Sequence, residues 1–300
     1  MKKKIVSATV TPLLEDGTLD RQGLCNLIDR GARHKLDGMF LFGSMGEWGS
    51  FSDALKEEGV ELSSSYVKNR FELLVGINAT SLPLSLDLMK RYKKYEFSAY
   101  VFMPPGKTSG LDPVKSVLTV LDAADRPVYL YHCPPVNGVN FSLRDFEMMM
   151  RHPNLKGIKN SSSNMYLRRE LIIMRQDTGL KTLFFEGQEW AADEALTVGC
   201  DGMICGMGAV CSKLMRKLAD CVDAGDTAGA VAAQNRMIRV FHGVYGPNIE
   251  NCWNGQKYAL VKMGVIATPY TLAQEMSSLT DAAKARIEKC LEEFKTDLDW

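Results

Sequence analysis

The sequence predicts an α/β chain folded as a (β/α)8 TIM barrel with a C-terminal helical extension. Three observations point there. Short apolar, β-branched runs alternate with longer amphipathic runs. Eight such strand–helix pairs follow one another between residues 5 and 222. From Gly225 the strand signal stops while helical periodicity continues. Alternation at this spacing implies parallel strands with helical crossovers, and eight units point to a closed barrel. An open doubly wound sheet is the alternative. No G-x-G-x-x-G follows the first strand, which counts against its dinucleotide-binding form. The barrel is assigned to residues 1–224 and the helical region to 225–300.

The elements read in order. Ile5–Val10 is a strand, and Asp20–His34 a helix with Leu24, Leu27, Ile28 and Ala32 at helical spacing. Gly38–Phe42 is followed by a helix from about Ser52. Leu73–Ile77 precedes the helix Leu84–Tyr95, and Ala99–Met103 precedes Val114–Ala123. Val128–Tyr131 leads to Leu143–Met150, and Leu155–Lys159 to Leu167–Arg175. Thr182–Glu186 leads to Ala191–Val198, and Gly202–Cys205 to Lys213–Val222. Thr227–Phe241, Gly255–Met263 and Ala282–Phe294 are then helices with no strand between them.

Composition removes several function classes. The 300 residues suit one large barrel, for which about 250 is ordinary. Lys+Arg and Asp+Glu both number 36, so no basic bias marks a nucleic-acid or polyanion partner. No apolar run approaches the ~20 residues of a membrane span. The start, Met1-Lys2-Lys3-Lys4-Ile5-Val6-Ser7, has charge but no apolar h-region, because Thr9, Thr11 and Pro12 interrupt it. A cytoplasmic location is expected. None of the eight cysteines forms a C-x-x-C pair and most sit in apolar segments, so buried reduced thiols are expected. The four histidines are scattered, and no spacing suggests a metal site.

In such a barrel the site lies at the C-terminal ends of the strands. Strand 1 ends in Thr9-Val10-Thr11-Pro12, strand 2 in Gly43-Ser44-Met45-Gly46-Glu47, and strand 3 near Asn78. Strand 5 ends in Tyr131-His132-Cys133-Pro134-Pro135 and strand 6 in Lys159. Strand 7 ends in Glu186-Gly187-Gln188-Glu189, and strand 8 leads into Gly206-Met207-Gly208-Ala209.

Lys159 is the centre of the chemical reading. A free lysine has a pKa near ~10.4 and is a poor nucleophile at neutral pH. Burial disfavours its charged form and frees the amine to attack the carbonyl of a small 2-oxo acid. The iminium then withdraws electrons, so the adjacent carbon loses a proton or a C–C bond breaks. Taken alone, Lys159 reads more readily as a solvated lysine at a strand end, and its companions shift that reading. Tyr131 ends the preceding strand and should lie beside it, as a proton carrier or as an aromatic core residue. Gly43 to Glu47 is either a tight turn or an N–H nest for a carboxylate, with Ser44 placed to orient Tyr131. Glu189 either binds ligand hydroxyls or starts the next helix, where the dipole favours it.

Together these residues resemble the pyruvate-dependent class I aldolase family. That family includes dihydrodipicolinate synthase, N-acetylneuraminate lyase and 2-keto-3-deoxy-sugar-acid aldolases. Ser7-Ala8-Thr9-Val10-Thr11-Pro12 looks like its first strand. Gly43-Ser44-Met45-Gly46-Glu47 matches its G-[ST]-x-G-E loop. Tyr131-His132-Cys133-Pro134 with Gly138 matches Y-x-x-P-x-x-x-G. Gly157-Ile158-Lys159-Asn160-Ser161-Ser162 resembles G-[IV]-K-[DE]-[ST]-[ST], with Asn160 in place of the usual carboxylate. Cys200-Asp201-Gly202 and the segment from Lys257 through Ala259, Leu260 and Met263 to Gly264 also fit.

The resemblance implies Lys159 as the Schiff-base lysine and Tyr131 as the proton carrier. Ser44 and the Met45 backbone would hold the carboxylate, with Gly43, Thr11, Glu189 and Gly206 around the substrate. It implies a homo-oligomer, a tetramer or dimer, and no metal or organic cofactor. The expected substrates are a 2-oxo acid and an aldehyde, as in 2-keto-3-deoxy sugar acids. Four departures shape that expectation. Met45 stands where a second hydroxyl residue is usual. Val136 stands where dihydrodipicolinate synthases place an arginine, so that activity is disfavoured. Met103-Pro104-Pro105-Gly106 lacks the relay tyrosine of the same branch. Trp190 follows Glu189 where sialic-acid lyases carry a second carboxylate. A keto-acid dehydratase on the same imine is the runner-up, and a non-catalytic keto-acid-binding barrel is the reading from another class.

Overall fold

The computed structural model describes residues 2–273 and 279–300. The chain begins with β1 (Lys4–Ala8), α1 (Arg21–Arg33), β2 (Gly38–Leu41) and α2 (Asp53–Val67). Next come β3 (Glu72–Gly76), α3 (Leu82–Tyr92), β4 (Ala99–Phe102) and α4 (Pro113–Ala123). Then follow β5 (Val128–His132), a single turn α5 (Pro134–Asn137), α6 (Leu143–Met150), β6 (Leu155–Asn160) and α7 (Met165–Thr178). The last barrel elements are β7 (Leu183–Glu186), α8 (Ala192–Thr197), β8 (Gly202–Cys205) and α9 (Gly208–Asp223). The extension holds α10 (Thr227–Tyr245), α11 (Cys252–Lys262), α12 (Asp281–Glu293) and α13 (Lys295–Leu298).

All eight strands are parallel and pair in chain order, and β8 closes onto β1 with Val6 opposite Ile204. The expected barrel is therefore the observed one. Its strands are buried on both faces, so they read as near-continuous apolar runs rather than alternating ones. Alternate residues still separate into two cores. Val6, Ala8, Phe40, Val101, Tyr129, Tyr131, Phe185 and Ile204 belong to the barrel interior. Ile5, Leu41, Val75, Leu130, Ile158 and Met203 belong to the layer beneath the helices.

Local chemistry sets the helix starts. Ser52, Asp112, Asn164 and Thr280 each accept a backbone N–H of the first turn that would otherwise lack a partner. Ser142 and Asp145 form a reciprocal capping box on α6. Asp20 caps α1 through Gly23 N–H and also accepts Ala267 N–H at 2.8 Å, tying the barrel to the C-terminal segment.

Two boundaries differ from the sequence reading for tertiary reasons. β1 stops at Ala8 rather than Val10, because Leu13 bridges antiparallel to Leu19 and turns the segment away. α9 starts at Gly208, five residues before Lys213. Glycine weakens a helix locally, but a Cβ at Gly208 would stand 2.7 Å from Ser7 Cα. Close packing on β1 outweighs the propensity there.

The extension packs on the barrel. α10 lies along α9, and its Gln234 donates to Glu189 O at 2.7 Å while accepting the N–H groups of Ala192 and Asp193. The chain end returns to α1, where Arg30 donates to the carbonyls of Leu298 and Asp299. None of the eight cysteines is in a disulfide. Among the described residues no helix is long and apolar enough to cross a membrane.

Candidate active site

Lys159 sits on β6, in register with Tyr131 on β5 and Phe185 on β7. Along β6 the side chains alternate, so Ile158 joins the outer core while Lys159 faces in. Only 4% of Lys159 is exposed. Its Nζ stands 4.1 Å from the Tyr131 ring centre and 5.4 Å from that of Phe40. Burial lowers its pKa below the usual lysine value, partly opposed by Cys133, Cys205, Glu189 and Glu186. A lysine so placed is not the solvated one the local sequence also allowed.

Tyr131 meets Phe40 edge to face, with ring centres 6.2 Å apart. Its hydroxyl lies 3.2 Å from Ser44 Oγ. Burial raises its pKa well above the usual phenol value, so it stays protonated at neutral pH and can give a proton. Ser44, Tyr131 and Lys159 thus come together as the sequence suggested.

The loop 43–47 brings its backbone to this centre. Gly43 lies against Phe40, where a Cβ would stand 2.6 Å from a ring carbon. Among the described residues, the N–H groups of Ser44, Met45 and Gly46 donate to no protein acceptor. Three successive uncommitted N–H groups are donors free for an anion. Thr11 buttresses the loop, donating its hydroxyl to Gly46 O at 2.8 Å. Glu47 points away from Lys159. Its carboxylate pairs with Lys257 of α11, both side chains fully buried, and accepts Thr271 Oγ1 and the N–H groups of Leu272 and Ala273.

Glu189 begins a short 3-10 turn (Glu189–Ala191) after β7, and α8 starts three residues later at Ala192. Its carboxylate is buried and accepts Met207 N–H at 2.8 Å. Burial raises its pKa, with backbone donors and Lys159 opposing. Gly206 is the meeting point of this group with the loop. A Cβ there would stand 2.6 Å from Met45 Cγ and 3.2 Å from Glu189 Oε1.

Two residues near the centre were not singled out from the sequence. Ser161 Oγ would touch a Cβ at Gly187, as would Lys159 Cε, at 2.0 Å and 3.1 Å. It lies near the Tyr131 phenol but closes no hydrogen bond of good geometry. The period of two along a strand puts Ser161 on the face of Lys159, so the signal existed. Trp253 of α11 donates its indole N–H to Ser44 O at 3.0 Å. No local pattern links residues so far apart in the chain. Among the departures, Val136 is exposed on α5, Met103 lies in the barrel interior, and Trp190 packs edge-on against Phe241 of α10.

Residues 1–294 match the dihydrodipicolinate synthetase family. A 4-hydroxy-tetrahydrodipicolinate synthase of Shewanella piezotolerans is 26% identical over 290 residues, covering 94% of this chain and 98% of that protein. Two solved structures share the fold. Dihydrodipicolinate synthase from Bacteroides thetaiotaomicron has a TM-score of 0.89 at 24% identity, covering 97% of this chain and 98% of the other. YagE, a prophage protein of E. coli K12 solved in complex with pyruvate, has a TM-score of 0.87 at 21% identity, covering 98% of each chain. With the match running from the first residue through α12, the chain belongs to the dihydrodipicolinate synthetase family, a family of carbon–carbon lyases.

Proposed function

We propose that the protein is a Schiff-base-forming class I aldolase, acting on pyruvate or a 2-keto-3-deoxy acid and making or breaking a C–C bond with an aldehyde. The neutral amine of Lys159 adds to the C2 carbonyl, and water leaves to give the iminium. Loss of a C3 proton gives an enamine. Its C3 attacks the aldehyde carbon, the new alkoxide takes a proton, and water then releases the product from Lys159. Cleavage runs the same steps backwards. Tyr131 carries protons between these centres through its phenol and Ser44. The nest at Ser44, Met45 and Gly46 takes the carboxylate. Ser161 Oγ and Glu189 are the groups available to substrate hydroxyls. The iminium is itself the electron sink, so the reaction is proposed to need no metal or organic cofactor.

The observation that carries this reading is the burial of the Lys159 amine against Tyr131. A lysine with no salt bridge among the described residues would not be kept so dry for stability alone. Exposed Val136 offers no cation to a second carboxylate, which speaks against a dihydrodipicolinate synthase. A homo-oligomer is proposed with it, and light scattering that reads a monomer mass would overturn that part.

The test is incubation with pyruvate and borohydride, followed by intact-protein mass. The expected result is one reduced pyruvate adduct in the wild type and none in Lys159→Ala. No adduct, or an adduct that persists in Lys159→Ala, rejects the imine. Screening keto acids then separates the chemistries. An aldolase releases pyruvate and an aldehyde, a dehydratase leaves the carbon chain intact, and a binder turns nothing over.

A further inference from the structure

We infer that Trp253 of the C-terminal extension is a positioning residue for the carboxylate site, acting through the Ser44–Met45 peptide. This rests on the carboxylate reading of the loop given above and goes beyond it by naming what holds the loop.

Trp253 is half-buried near the start of α11, and its Nε1–H donates to Ser44 O at 3.0 Å. The same carbonyl accepts Glu47 N–H at 3.1 Å, so two donors converge on one oxygen. Ser44 O and Met45 N–H are the two ends of a single peptide unit. That unit is trans, and planarity makes the N–H point opposite to the C=O. Fixing the carbonyl toward Trp253 therefore fixes Met45 N–H on the other edge. Hydrogen bonds at the oxygen also polarise the unit and strengthen its N–H as a donor.

Two further contacts join α11 to the same loop. Cys252 Sγ lies 3.6 Å from Met45 Sδ, and Lys257 pairs with Glu47 one turn further along the helix. Gly206 leaves room for the Met45 side chain, since a Cβ there would stand 2.6 Å from Met45 Cγ. The residue that lacks the usual loop hydroxyl thus offers its backbone N–H from a peptide clamped by an indole.

The experiment measures the pyruvate concentration for half-maximal borohydride trapping, in wild type and Trp253→Phe. Methyl pyruvate, which has the ketone but no carboxylate anion, is run beside it. Phenylalanine keeps a ring and removes the N–H. The expected result is a roughly tenfold rise for pyruvate, less than a twofold change for methyl pyruvate, and full trapping at saturation. Trp253→His, which restores a ring N–H, is expected to recover part of the pyruvate affinity and serves also where the phenylalanine variant is poorly folded. An unchanged pyruvate value in the phenylalanine variant overturns the inference. So do equal losses for both ligands, the pattern of a general structural role, and so does a histidine variant no better than phenylalanine. A wild type that traps nothing overturns the imine reading, and this inference with it. A wild type that traps normally beside an unaffected variant overturns this inference alone.

Discussion

Lys159 and Tyr131 are register partners on adjacent parallel strands, and the lysine nitrogen stands 4.1 Å from the centre of the tyrosine ring. The pairing places an amine that burial makes more basic-poor beside a phenol that burial keeps protonated. In the proposed mechanism one group bonds the substrate and the other moves protons, and both stand on strands of the barrel.

Removing the phenol separates the two roles. In Tyr131→Phe the ring still packs on Phe40, but no hydroxyl meets Ser44. Turnover is expected to fall about 100-fold or more, the scale of general acid–base catalysis. Borohydride trapping with pyruvate should still reach one adduct, more slowly. Steady-state rates equal to wild type would take Tyr131 out of the mechanism.

The Glu47–Lys257 pair joins the loop 43–47 to the extension with both side chains fully buried. Glu47→Gln leaves the lysine charge without its anion. Breaking a buried pair in this way costs about 3–5 kcal/mol. Urea unfolding should register that loss, and the pyruvate concentration for half-maximal trapping should rise as the loop loosens. A change in unfolding free energy below about 1 kcal/mol would contradict the assignment of the pair as a main tie.

His132 gives the pH dependence. Its ring is buried between Phe141 and Phe146, and neither nitrogen has a partner among the described residues. Burial pushes its pKa down to about 4. The unfolded chain takes the proton near the ordinary value of ~6.5, so below it the unfolded state binds more protons and stability drops with falling pH. His132 is expected to lose the fold about 2 kcal/mol between pH 7 and pH 5. Denaturant midpoints at the two pH values should converge in His132→Leu relative to wild type. An equal acid loss in both proteins would assign it to other groups.

Much of the site was legible because strands obey a local period. Lys159 at the end of one strand and Tyr131 at the end of the one before had to be neighbours once the strands were parallel and in order. Ser161 was within reach of the same rule. The burial of Glu189 was not, because its carboxylate is fixed by Met207 N–H from the segment after β8. The start of α9 was missed because Gly208, which discourages a helix locally, is the residue that lets it press on β1.

The sequence by itself determined the eightfold alternation, the barrel that follows from it, the lysine and the tyrosine, and the glycine-flanked loop. Each depends on spacing within one element or between successive ones. Only the tertiary structure decided that Lys159 is dry, that Glu47 pairs with Lys257, and that an indole from α11 holds Ser44. The last two are contacts between groups some 200 residues apart, the first depends on packing by several strands at once, and neither kind has a local period to reveal it.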